Sequence, residues 1–158
     1  MSVTIEGVQC RLGRDPDDLR RFSINVAVYS QTKPGVKANS SVDPGAAHGK
    51  EHLLHMIGVA AAACCEYLHE THGDNVDPAH ASKAALHSFA EECRLQEELK
   101  KSGPAKIKRL EFHADKLPAQ ERELLLKLRW LIDKGQALTP VEDEWIDSRI
   151  RQIHKDQI

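Results

Sequence analysis

The stretch DPGAAHGKEHLLHMIGVAAAACCEYLHETHG, residues 43–73, decides how the rest of the chain is read. Asp43 ahead of Pro44 is the chemistry of a helix start: a capping carboxylate, then a residue whose fixed φ suits the first turn. Leu53, Ile57, Ala60, Cys64 and Tyr67 follow at alternating four- and three-residue steps, the spacing of one helical face. Gly73 closes the segment with a residue free to turn left-handed. The reading is a helix over about 44–72, in which the run Ala60–Ala63 lets a second helix approach closely.

Toward the N-terminus the period changes from helical to two. Phe22, Ile24, Val26 and Val28 alternate with Ser23, Asn25, Ala27 and Tyr29, the signature of a half-buried strand. Val3 and Ile5 alternate, and Val8, Cys10 and Leu12 continue in the shifted phase, so Gly7 is read as a bulge. Turn chemistry from Gly13 to Asp18 joins the two runs into a hairpin. Two strands alone are marginal in water. They must lie on the helices, pair with a weak third strand near Val36–Val42, or pair with another chain.

Toward the C-terminus the helix punctuation repeats. Asp77-Pro78 and Thr139-Pro140 are capped starts, Leu117-Pro118 is an uncapped one, and Gly103 and Gly135 mark ends. Thr139 and Glu142 have the spacing of a capping box. Helices are expected at about 78–101, 105–116, 118–134 and 140–156. The short connection after Gly73 makes the first two an antiparallel hairpin. Leu124, Leu125, Leu128 and Leu131 would pair with Leu138, Val141, Trp145, Ile150 and Ile153 in a second hairpin. The fold class is therefore α+β, mostly α: an N-terminal β-hairpin followed by two successive antiparallel helical hairpins. The organisation is 1–42, strands packed on or swapped with the helical part; 43–102, an acidic hairpin; and 103–158, a second hairpin. Lys101-Ser102-Gly103-Pro104 is the expected linker.

Composition narrows the classes of function. Of 158 residues, 29% are charged and 41% hydrophobic, as in an ordinary globular chain. A net charge of −2 gives no bulk attraction to nucleic acid or anionic membrane. Two tryptophans, two tyrosines and three phenylalanines are few for a base-stacking surface. The longest apolar run, Met56–Cys65, falls short of the roughly 20 residues a bilayer requires. No signal-peptide pattern opens the chain, and Cys10, Cys64, Cys65 and Cys93 lack disulfide or CxxC spacing. A cytoplasmic protein with small, buried, reduced thiols is expected.

Histidine is the outlier, at nine residues. His48, His52 and His55 fall at i, i+4 and i+7, within about 60° of one another on one helix face. His48-Gly49-Lys50-Glu51-His52 reads H-x-x-E-H, a spacing in which two imidazoles one turn apart can bind one zinc while a neighbouring glutamate activates the metal-bound water. Locally, Gly45 to Leu54 resembles the zinc-binding helix of the inverted-motif metallopeptidases of the pitrilysin–insulysin type. The resemblance implies His48 and His52 as ligands and Glu51 as the catalytic base. Gly49-Lys50 stands where that family prefers an apolar pair. From hairpin register alone, Glu97 or Glu98 would face His52, making Glu98 the candidate further ligand.

Two other groups stand out. His69, His72 and His80 gather with Asp74 around the turn of the first hairpin, where protonated imidazoles also favour a helix C-terminus. Lys100, Lys101, Lys106, Lys108 and Arg109 form a basic cluster that could meet phosphates. A helix opening Glu142-Asp143-Glu144 would repel them at the end that usually contacts bases. No GxSxG, phosphate loop or dinucleotide fingerprint occurs.

The preferred reading is a non-enzymatic interaction protein, cast as a bacterial or phage regulator or inhibitor, that binds and modulates a protein partner through its helical hairpins. Homo-oligomerisation is expected, and a free hairpin edge could recruit a strand. No cofactor is expected on this reading. The alternatives are a zinc-dependent hydrolase built on His48, His52, His55, Glu98 and Glu51, and a nucleic-acid binder using Lys101, Lys106, Lys108 and Arg109.

Overall fold

The computed structural model describes residues 4–5, 7–15, 18–19 and 21–156. Its strands are β1 (Thr4–Ile5), β2 (Val8–Arg14), β3 (Phe22–Tyr29) and β4 (Lys37–Val42). Its helices are α1 (Lys50–His72), α2 (Pro78–Glu111), α3 (Ala119–Asp133) and α4 (Pro140–Asp156), with 3-10 turns at Pro44–Ala46 and Ala114–Lys116. An antiparallel sheet thus precedes a mostly helical chain. Two compact units are formed, by residues 2–93 and 94–158, and α2 contributes its first part to one and its remainder to the other.

In the first unit the strands lie in chain order, each antiparallel to the next. The pairs Val8–Val28, Cys10–Val26 and Leu12–Ile24 continue into Val28–Ala38 and Ile24–Val42, so one sheet face is apolar except at Ser40, which pairs with Val26. That face is buried with Ile57, Ala61, Cys64, Cys65 and Leu68 of α1 and Ala81, Ala84 and Ala85 of α2. Small side chains bring the helix backbones close, and the Ser82 hydroxyl donates to the Gly58 carbonyl at 2.7 Å. The Cys10 N–H, which points away from β3, donates to the Ser88 hydroxyl at 2.9 Å, so a buried backbone donor is satisfied.

The N-terminal expectations are refined in three places. The shifted phase at Gly7 is a chain reversal rather than a bulge: Ile5 pairs with Val8, and Gly7 sits between them at φ 78°. The weak third strand is supplied by this chain, as β4 on β3. Asp43 does cap, but its Oδ1 accepts from the Gly45 N–H at 2.9 Å and closes only a 3-10 turn. Gly49, at φ 114°, lies outside helical space, so α1 starts at Lys50 and not at 44.

The second unit buries Ile107 and Leu110 of α2, Leu125, Leu128 and Leu131 of α3, and Leu138, Ile146, Ile150 and Ile153 in and before α4. Leu124 and Val141, expected on the packed stripe, are exposed. The 3.6-residue period carries only one register of the Leu124-Leu125-Leu126 run inward. Two starts match their sequence signals. Asp77 Oδ1 accepts from the Ala79 N–H, and Thr139 and Glu142 exchange the reciprocal bonds of a capping box.

The expected break at residues 101–104 is absent: α2 runs through Gly103 and Pro104 to Glu111. Gly103 serves packing rather than termination. A Cβ there would lie 3.2 Å from Leu138 Cδ1 and 3.4 Å from Ile132 Cδ1, so a larger residue would make those side chains give by a few tenths of an ångström. Pro104 and Lys100 are on the exposed side, where the carbonyl that loses its N–H partner can be hydrated. The separate helix expected at 105–116 is therefore the end of α2 followed by the 3-10 turn.

Candidate functional site

The H-x-x-E-H segment straddles a helix boundary. His48 precedes α1, whereas Glu51, His52 and His55 lie in its first turns. The His48 N–H donates to His52 Nδ1 at 2.9 Å, tying the residue before the N-cap to the first turn of the helix. The two rings stack in parallel, with centroids 5.2 Å apart and planes inclined by 6°. Because His52 Nδ1 accepts a backbone proton, the neutral ring carries its own proton on Nε2. As placed, the two rings lie parallel rather than converging on one point. His55 is exposed, and Glu98 pairs with Arg94 at 2.7 Å, four residues away on α2. Among the described residues no group of three or more His, Cys, Asp or Glu side chains is placed to hold a metal ion.

The basic cluster is partly neutralised from within. Lys106 Nζ donates to Asp143 Oδ1 at 2.8 Å and Asp147 Oδ2 at 3.1 Å. Partial burial works against its charge, but these carboxylates outweigh that and hold the ammonium above its ordinary range. Arg109 Nη2 lies 2.8 Å from His154 Nε2. Lys101 and Lys108 are exposed. The acidic start of α4, set against phosphate binding in the sequence, is what engages Lys106.

Two other places in the first unit have a definite geometry. One is a groove of about 410 Å³ between β4 and α1, bordered by Lys37, Ala38, Asn39 and Ser40 on the strand and Ala63, Cys64 and Tyr67 on the helix. β4 is the last strand of the sheet. The Ser30 N–H donates to the Val36 carbonyl at 2.8 Å, and alternation from that pair turns the N–H and C=O of Lys37, Asn39 and Ser41 away from β3. Beside this edge, Val59, Ala63 and Tyr67 recur at i+4 along α1 and are exposed, Tyr67 by 54%. Cys64, at the groove floor, has its thiol pushed up to about 11 by burial and the neighbouring Cys65. Cys10 is pushed up to about 12 by burial, Glu92 and Cys93. Neither is an activated nucleophile.

The second place is the connection between α1 and α2. Gly73, at φ 70°, ends α1 with its N–H on the His69 carbonyl. The chain then turns Asp74 inward, where only 1% of it stays exposed. Asp74 Oδ1 accepts from the Thr32 hydroxyl at 2.6 Å. The hydroxyls of Thr32 and Ser30, and the nearby His72, hold the carboxyl below its ordinary value despite burial. The His69 ring contacts the Asp74 carbonyl through Nδ1 at 2.9 Å, so Nδ1 carries the proton.

The sequence placed His69, His72 and Asp74 together, but nothing in it marked Thr32, 42 positions away, as the partner. The groove also escaped it, because Lys37, Asn39 and Tyr67 become neighbours only through sheet register. No family model matches the chain, and no curated protein or solved structure matches it. Among the described residues no helix is long and apolar enough to cross a membrane.

Proposed function

We propose that the chain is a non-enzymatic interaction module that binds an extended segment of a partner protein along β4. The observation that carries this is the outward row of backbone donors and acceptors at Lys37, Asn39 and Ser41 beside the exposed Val59–Ala63–Tyr67 stripe. Strand addition uses such an edge for main-chain hydrogen bonds and the adjoining groove for alternate side chains. In this proposal α1 and α2 form the antiparallel hairpin that fixes the groove. A second copy of the chain is one admissible donor of the strand, which would give the oligomer expected from the sequence. Buried, poorly ionised thiols suit a reducing cytoplasm.

The test is selection of extended peptides on the purified protein, followed by hydrogen exchange. Bound peptide should protect the amides of Lys37, Asn39 and Ser41. Asn39→Pro removes an outward N–H while sparing the β3 ladder, and should weaken binding about tenfold or more. Tyr67→Ala should weaken it through the groove alone. Peptides that bind Asn39→Pro as tightly as the wild type would end this reading. Protection of the same amides that rises with protein concentration and needs no peptide would identify a second copy as the partner.

A further inference from the structure

The β4 edge and the exposed stripe of α1 are each self-complementary about a single point. Lys37, Asn39 and Ser41 turn their backbone groups away from β3. An antiparallel copy of β4, set with Asn39 opposite Asn39, meets all three. Lys37 then faces Ser41 and Ser41 faces Lys37, each pair exchanging both of its main-chain hydrogen bonds. No other antiparallel register of β4 on itself uses every outward residue. The two Lys37 positions lie about 13 Å apart along the strands, so the one charge of the edge does not oppose its mate. The two Asn39 amides, each both donor and acceptor, meet on the axis. Beside Asn39 the groove is bordered on the helix by Ala63 and Tyr67. An axis perpendicular to the sheet at that point brings Ala63 to Ala63, and antiparallel helices there set Val59 of one copy against Tyr67 of the other.

Resting on the reading of β4 as a recruiting edge, we propose that its occupant is β4 of a second copy, in a twofold dimer whose sheet runs unbroken from one copy into the other. The layer above the sheet selects this occupant. α1 packs on both β3 and β4. Neighbouring strands are about 4.8 Å apart, so a twofold mate places its own α1 about two strand spacings away, near 10 Å. Helices pack at about 8–10 Å, and a side chain as small as Ala63 admits the closer approach. A bare strand would complete the ladder and leave much of the Val59–Ala63–Tyr67 stripe in water. A second copy completes the ladder and covers the stripe with the same stripe. In that crossing Glu70 comes opposite Met56, not a second carboxylate.

The test is sedimentation equilibrium of the full chain from about 1 μM to about 1 mM, a span that covers moderate and weak association. A monomer–dimer equilibrium is expected within it. Ala63→Arg, at an exposed helix position, sets two cations face to face on the axis and should weaken association about tenfold or more, with helical circular dichroism unchanged. Cross-linking decides the matter even where Ala63→Arg does not fold. Residue 63 meets its mate, whereas residue 70 lies about 21 Å from its own along the helices. A short bismaleimide should therefore join Ala63→Cys chains and not Glu70→Cys chains, above the wild-type background set by the half-buried Cys93. A chain still monomeric at the top of the concentration range overturns the dimer, and the strand edge then stands or falls with its peptides. Dimers that survive Ala63→Arg, or that cross-link through residue 70 as readily as through residue 63, also overturn it and place the self-contact on another surface.

Discussion

The two compact units solve the same burial problem with different materials. Residues 2–93 cover an apolar sheet face with helices of small side chains, many of them alanine and cysteine, and hold the layers by single polar bonds such as Cys10 to Ser88 and Ser82 to Gly58. Residues 94–158 bury larger leucines and isoleucines and match charges between helices: Lys106 with Asp143 and Asp147, Arg129 with Glu111, and Arg149 with Glu121. Close backbone packing leaves edges and ends that side chains cannot cover. One such leftover is the β4 edge, on which the proposed strand addition rests. Charge matching instead draws Lys106, Arg129 and Arg149 into the second unit's own structure.

The largest effects should come from the cores. Leu68→Ala in the first unit and Leu128→Ala in the second should each cost about 2–5 kcal/mol, read by urea unfolding. Hydrogen exchange should rise in β3 and α1 for the former and in α3 and α4 for the latter. Identical exchange maps for both variants would break the comparison. A smaller loss, about 1 kcal/mol, is expected for Lys106→Met, since a pair of partly buried ion pairs is replaced by an apolar stem. The sign of its pH dependence is fixed. A folded value raised above the ordinary 10.5 gives a contribution fully present below 10.5 and lost as pH climbs through the raised value. The gap between wild type and variant should close only in strong alkali. Asp74 behaves oppositely: its lowered value gives stability present above 3.8 and lost as pH falls through the folded value.

The smallest effect sharpens the contrast between starts that looked alike. Thr139→Ala removes half of a capping box on a long helix and should cost about 1 kcal/mol in thermal unfolding. Asp43→Ala, which caps only a 3-10 turn, should cost a few tenths. In the sequence Asp43-Pro44 and Thr139-Pro140 read as the same signal. What separated them was Gly49, whose left-handed φ ended any helix begun at 44.

Local signals were legible and crossings were not. Caps at Asp77 and Thr139, ends at Gly73 and Gly135, and the alternation of Phe22–Tyr29 each depend on neighbours a few residues away, and each is found in place. Gly103-Pro104 misled because its purpose is set by Leu138 and Ile132, far along the chain. His48 and His52 share the period of one face but sit on opposite sides of a helix start. The partner of Asp74 comes from a loop that no periodicity announces. Chemistry at this level is written by register and loop geometry, which composition and spacing do not encode.

The bond from the Cys10 N–H to Ser88 has a consequence for the newborn chain. The meander pairs neighbours and could form soon after Val42 leaves the ribosome, but the donor of Cys10 and the apolar face beneath it must wait for α1 and the start of α2. At about 5–20 residues per second that wait lasts several seconds. Closing the long loop adds little further delay, because its entropic cost grows only with the logarithm of its length. For those seconds a greasy, open-edged sheet stands uncovered, and whatever shields it then must be displaced by the alanines of α2.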